Sequence, residues 1–561
     1  MARFSADQRS SHLAKRFARP ITGLLAGLGG LLALAGGSQT VAATKAATSS
    51  GFYIRGGGFG NGIGMSQYGA AGYAAHGWSY AAILSHYYSG TTLAQLPTAQ
   101  QVTVLLSQGA ASFSGATTIA GSTTTLNAAS TYQVVRAGGQ LELSSGGQLL
   151  SSGGKPVSFP IPLTVSGPGP LDLIGHGEYR GSFQFRLGGA ANGCISTAGG
   201  IATINEVGLN DYVRGVVGSE MPPSWPQQAL DVQAVAARTY ALTSGVVNPG
   251  SYMLYANTCS QVYKGVAAET SSTNAAVNAT YNQVVEYNGE PVTTYFSSSD
   301  GGQTKSVQYV WGQSDEPWLQ SVADPYDSYD NNPYYHWNYN YTLAQAAGKL
   351  GGYLEGSLKG IVVGSSGAEI VGSRGQTNIT GAQLESLFGT PSPNMSFLTM
   401  TLAAGTGTVA GRRVSTLSGT VYPVSGGRVL AQELISGRWQ QVAATTPGRG
   451  GAFTVAVRSG GSYRVVYASV DSSTVRVGGA GSSSGSSSGS GAGSGYSSGS
   501  GSGSSSGKGS DSGKGAGSGS SSGKGSGKGS GSGSSSTAGS GLGVGTSGST
   551  GGSAGAGAGG L

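Results

Sequence analysis

Between Asp7 and Glu142 the chain has no acidic residue, and charged side chains of both signs make up only 9% of its 561 residues. The first quarter of the sequence therefore supplies no carboxylate for catalysis. The formal charge of +7 sits at the ends: residues 1–19 carry a net +4, the stretch after residue 480 a net +3, and 20–480 is neutral. A nucleic-acid partner needs a basic face, so nucleic-acid binding is not expected. His76, His86, His176 and His336 are scattered, none at ligand spacing to a cysteine, so no metal and no cofactor is expected. Only two cysteines occur, Cys194 and Cys259. In an oxidising compartment such a pair forms a disulfide; the alternative is two buried thiols that never meet.

Long apolar runs are also missing. The uncharged run from Ile21 to Gly37 is short and broken by glycines, follows basic residues up to Arg19, and precedes Val41-Ala-Ala43. This pattern reads as a signal peptide over 1–43, cleaved rather than retained as an anchor. The expectation is an extracellular or wall-located protein with no stable membrane span after cleavage.

Glycine and serine are what the chain has in excess. From 479 to 561 it is almost pure Gly and Ser with occasional Lys, which cannot bury a core and reads as disordered coil. Ahead of it, Phe453, Val455 and Val457 alternate with small or polar residues, and Tyr463–Tyr467 and Thr474–Val477 follow, so 413–478 reads as a small all-β, sandwich-like module. Residues 50–400 read as one α+β domain, mainly β with a few helices. Its first part, 50–95, is a glycine-rich segment with helices from Ser66 and Ala81, and the rest, 96–400, is the core. Strands are expected at Gln101–Leu106, Tyr132–Val135, Leu141–Leu143, Ser182–Arg186, Gln283–Tyr287 and Pro291–Phe296, and a helix at Asn274–Asn278.

The most informative stretch runs from Leu209 to Ala241. Val213, Val216 and Val217 read as the end of a buried strand. Pro222 and Pro223 force a turn, Ser224-Trp-Pro-Gln227 fits a Ser-x-x-Gln cap, and Leu230, Ala234, Ala237 and Ala241 recur at helical spacing. Glu220 falls at the junction, where partial desolvation favours the neutral, proton-donating carboxyl.

This stretch resembles the central motif of the SpoIID/LytB family of bacterial cell-wall proteins. Gly58-Phe-Gly-Asn-Gly-Ile-Gly-Met-Ser-Gln-Tyr-Gly-Ala70 resembles the family's glycine-rich signature, with Asn61 where the family usually has His. Cys259-Ser-Gln-Val-Tyr-Lys-Gly265 resembles its Gln-x-Tyr-x-Gly turn, and Tyr295-Phe-Ser-Ser-Ser-Asp-Gly-Gly-Gln-Thr304 with Val310-Trp-Gly312 its Ser-rich strand and turn. The resemblance implies a lytic transglycosylase acting on peptidoglycan glycan strands, with Glu220 as general acid and base. Such an enzyme needs one carboxylate, because the C6 hydroxyl of N-acetylmuramic acid replaces water as nucleophile. The LytB branch implies the alternative of a non-catalytic, wall-binding enhancer of a separate amidase.

Candidate substrate-binding residues are Ser66, Gln67, Gln233, Arg238, Gln261, Ser297, Ser299 and Thr304. Each has a plainer reading. Arg238 serves equally as a helix-to-strand ion pair, and the hydroxyls as ordinary strand residues. Glu220 itself serves equally as a partner of Arg238 or of a backbone amide. Among rival acids, Asp211 reads as a polar strand-edge residue, Asp231 as a solvated helix residue and Asp300 as a turn former.

Overall fold

Alternating apolar residues build the β scaffold. In the strand Gln101–Gly109, Val102 and Val104 are fully buried; in Ser182–Leu187, Phe183 and Phe185 are. Both flank Ile201–Gly208 in a six-stranded sheet, antiparallel except for the short parallel edge Leu254–Tyr255. A second sheet, built around Gln140–Ser145, Tyr132–Ala137 and Ala111–Ser114, packs nearby, and Phe113 stacks on Phe185 at 5.2 Å between centroids. The chain is mainly β with a few helices. The computed structural model describes residues 48–478 apart from 246, 247, 249 and 410. The signal peptide expected at 1–43 and the coil expected at 479–561 lie outside the described residues.

A further antiparallel sheet runs in the order Trp337–Tyr341, Thr48–Gly56, Met395–Val409, Arg412–Tyr422, Ala452–Val457. It faces the sheet formed by Val429–Ile435, Arg438–Thr445 and Ser462–Tyr467 across a core of Leu402, Leu417, Val421, Tyr463 and Val465. The sheet that carries Arg412–Tyr422 and Ala452–Val457 is thus completed by Thr48–Gly56, Trp337–Tyr341 and Met395–Val409, from outside 413–478.

Five helices matter for the site: α1 Gln67–Ala75, α2 Tyr80–Tyr87, α3 Leu209–Glu220, α4 Gln227–Thr243 and α5 Ser271–Ala279. The stretch before Glu220 is therefore a helix, not the strand its valines suggested. Leu209, Tyr212, Val213, Val216 and Val217 are all buried at three- and four-residue intervals. That helical burial outweighs the weak β preference of valine. Gly215 and Gly218 let α3 lie against the turn 263–268: a Cβ on Gly218 would collide with the Ala268 carbonyl, and one on Gly215 would sit 2.5 Å from the Tyr263 ring.

The helix from Gln227 forms as expected, with Leu230, Ala234, Ala237 and Ala241 buried, but Ser224 does not cap it. Pro226 holds the N-cap position and no side chain caps the helix. A cap at Ser224 would need Trp225 helical, which the following proline disfavours. α4 is buried nearly all round and forms the centre of the largest core. The expected strand Pro291–Phe296 is interrupted. Only Glu290–Pro291 and Phe296–Ser297 are strand, while Thr294 Oγ1 between them donates to the Ala236 carbonyl of α4 at 2.8 Å.

Candidate active-site cleft

Glu220 is the last residue of α3. Met221 is extended, and the prolines behind it end the helix. The carboxylate is held from two sides: Val262 N–H donates to Oε1 at 2.7 Å and Gln67 Nε2 donates to Oε2 at 3.2 Å. Burial pushes its pKa up from the ordinary carboxylate value, against the downward pull of those two hydrogen bonds and of Lys264. A negative charge at a helix C-terminus is also unfavourable, which acts in the same direction. Of the two plain partners foreseen for Glu220, the backbone amide is present and Arg238 is not.

The glycine-rich segment and the Ser-rich strand meet here. Met65–Ser66 pairs in parallel with Phe296–Ser297, and Phe59 N–H donates to the Ser299 carbonyl at 2.8 Å. Gly64 adopts a positive φ of 69°, and a Cβ there would collide with the Tyr295 carbonyl, so this approach requires glycine. Together they wall a cleft of about 200 Å³ with Phe59, Asn61, Gln67, Tyr240, Ser260 and Ser297 around Glu220. Glu220 is the one acidic residue among those lining it. Asn61 keeps its turn by accepting the Ile63 N–H at 2.8 Å. A larger cavity of about 560 Å³, bounded by Gln308, Glu369, Asn378 and Thr380, contains none of the expected site residues.

The expected substrate-binding residues separate into two groups. Gln67 and Ser297 line the cleft, and the buried Ser297 Oγ has no hydrogen-bond partner among the described residues. The others lie behind the wall. Gln233 is fully buried and accepts from Gln67 Nε2 at 3.3 Å, so it supports the residue that touches Glu220. Gln261 donates to the Tyr212 hydroxyl and the Ala237 carbonyl, which fixes the turn carrying Val262. Ser66 caps α1 and donates to Asp327, Ser299 donates to Asp327, and Thr304 accepts the Val322 N–H. Arg238 is fully buried, with Nε on Asn210 Oδ1 at 2.9 Å and Nη1 on the Gln283 carbonyl at 3.1 Å. No carboxylate pairs with it among the described residues, and burial lowers its pKa to about 9.

The rival acids also differ from expectation. Asp211 lies in the first turn of α3, exposed and 3.4 Å from Arg214. Asp231 is buried, not solvated, and accepts from Gln227 and Gln228, the polar residues one turn earlier. Asp300 makes the expected turn contact, accepting the Gly302 N–H at 2.7 Å, yet is buried beside Asp324 and Asp327. Cys194 and Cys259 are bonded, with Cα atoms 5.9 Å apart, and Cys259 borders the cleft. Reading side chains alone missed Val262, whose contribution is a backbone N–H and leaves no trace in residue identity. It also missed the cleft aromatics Phe59, Tyr240, Tyr295 and Phe296. All four do fall inside the quoted stretches.

The SpoIID family (Stage II sporulation protein) matches residues 197–287, which contain α3, α4 and α5 with Glu220. The chain is 33% identical over 171 residues to the stage II sporulation protein D of Bacillus subtilis, covering 28% of this chain and 49% of that protein. It is 41% identical over 116 residues to the amidase enhancer of Bacillus subtilis, covering 20% of this chain and 15% of the enhancer. An uncharacterised protein of Brachyspira hyodysenteriae is 37% identical over 147 residues, 26% of this chain and 37% of its own length. The chain thus spans at most about half the length of these relatives. Residues 197–287, with their helix-terminal glutamate, thus match the SpoIID family, and there the chain is similar to both a stage II sporulation protein D and an amidase enhancer.

Proposed function

We propose that the protein acts outside the cell on peptidoglycan, as a lytic transglycosylase with Glu220 as its acid and base. The observation that carries this reading is a single desolvated carboxyl in the cleft, oriented by Val262 N–H and Gln67 Nε2. Oε1 accepts the shorter bond, from Val262 N–H at 2.7 Å, so the proton goes on Oε2, which accepts only the longer bond from Gln67 Nε2 at 3.2 Å. The neutral carboxyl favoured by burial gives that proton to the glycosidic oxygen, and the bond from that oxygen to C1 of N-acetylmuramic acid breaks. The C6 hydroxyl of the same sugar then bonds to C1 and returns its proton to Glu220, leaving a 1,6-anhydro end. A hydrolase would need a second carboxylate to activate water or attack C1. None lines this cleft.

The amidase enhancer among the relatives favours a second reading, in which the cleft binds glycan and a separate amidase does the cutting. The two readings part at Glu220→Gln. A transglycosylase loses release of soluble glycan from purified walls, whereas an enhancer leaves amidase stimulation intact in the same variant.

A further inference from the structure

Asp300, Asp324 and Asp327 are 1%, 0% and 0% exposed, and one carboxylate oxygen of each lies within 4.8 Å of the others. Two loops that flank the glycine-rich segment supply them. Their hydrogen-bond donors are all neutral. Asp327 accepts from Ser66 Oγ and Ser299 Oγ at 2.5 and 2.7 Å, from Gly301 N–H at 2.8 Å and from Asn332 Nδ2 at 3.3 Å. Asp324 accepts from the Tyr87 hydroxyl at 2.5 Å and from Tyr326 N–H at 3.3 Å. Asp300 accepts only the Gly302 N–H, on Oδ1. Its Oδ2 is buried and receives no hydrogen bond from a neutral donor, and its carboxyl meets that of Asp324. No Lys, Arg or His among the described residues makes an ion pair with any of the three.

Three carboxylates cannot stay buried, mutually close and charged without a positive partner. An unpartnered carboxylate oxygen inside such a cluster is a vacant ligand position. We propose that Asp300, Asp324 and Asp327 bind one hard divalent cation, with calcium preferred. Purely oxygen donors select hard cations over zinc. Calcium is preferred over magnesium because the cluster is buried and magnesium gives up its water ligands reluctantly. Asp300 brings the oxygen that has no donor, Oδ2, and Asp324 and Asp327 each offer one carboxylate oxygen. The ion pins the Asp300 turn to the Asp324–Asp327 turn. Because Ser66 is bonded to Asp327, it also steadies the start of α1 and Gln67 beside Glu220.

The test uses the full chain, stripped with EDTA and titrated with calcium chloride and, separately, magnesium chloride by calorimetry and thermal melting. One saturable calcium site, a rise in Tm that EDTA reverses, a smaller effect of magnesium, and loss of the calcium response in Asp300→Asn are expected. The proposal is overturned if calcium neither binds nor shifts Tm, since the carboxyls then share protons instead. It is equally overturned if Asp300→Asn binds calcium as the parent does. Should that variant fail to fold, the parent's own stoichiometry and reversal by EDTA decide the matter. None of these readouts depends on glycan cleavage.

Discussion

Glu220 does its work through where its charge is unwelcome. The native carboxyl keeps its proton to higher pH than an unfolded one, so it adds stability below the ordinary carboxylate range and loses that contribution as pH rises through its native value. Glu220→Gln removes the effect. The variant's Tm relative to the parent should rise as pH is raised from about 4, the ordinary glutamate value, until the native carboxyl has ionised, and a gap constant with pH would mean the carboxyl is not shifted. Gln67→Met keeps the volume and deletes the N–H on Oε2. It should cost about tenfold in kcat, one hydrogen bond to a charged group, with KM and Tm little changed. A fall in Tm without a fall in kcat would make Gln67 a packing residue. The place of this carboxylate was legible in the sequence, between an apolar run and two prolines. Its orientation was not, because half of it comes from the Val262 backbone.

The helices and turns show why local patterns misled. Val213, Val216 and Val217 looked like strand because valine favours strands, yet with Leu209 and Tyr212 they form one face of α3. Glycine was the overlooked signal: Gly215 and Gly218 fit a helix that must pack closely on the turn 263–268. Gly218→Ala should therefore destabilise the protein by about 1–3 kcal/mol through overpacking, although alanine gains up to about 1 kcal/mol in helix propensity. Chemical denaturation measures this, and a stabilised variant would show that α3 does not press on Ala268. The same turn is anchored from the other side by the disulfide. It spans 65 residues, a loop whose closure is worth about 4 kcal/mol in the chain-entropy model. Reduction should lower Tm accordingly and loosen the segment that presents Val262. Two free thiols in the mass of the unreduced protein would rule the bond out.

For the whole molecule, the mainly β character was legible, and five of the six strands expected between 100 and 300 lie where they were placed, since alternation of buried and exposed residues is local. The long-range pairings were not. Nothing near residue 50 announces that Thr48–Gly56 will lie between Trp337–Tyr341 and Met395–Val409, and nothing near 300 announces that Asp300 will meet residues 324 and 327. Composition marks the stretch from 479 as unable to form a core, so a chain ending at 478 should melt with the full chain. A chain ending at 410 should not. It removes the strands paired with Met395–Val409 and uncovers Met400 and Leu402, so a lower Tm or aggregation is expected.

The decisive measurement is mass spectrometry of peptidoglycan, intact and stripped of peptides, after incubation with the protein and with Glu220→Gln. A single acid in the cleft predicts 1,6-anhydro-N-acetylmuramic acid ends with the parent and none with the variant. Anhydro ends from both proteins, or from neither, would contradict catalysis by Glu220.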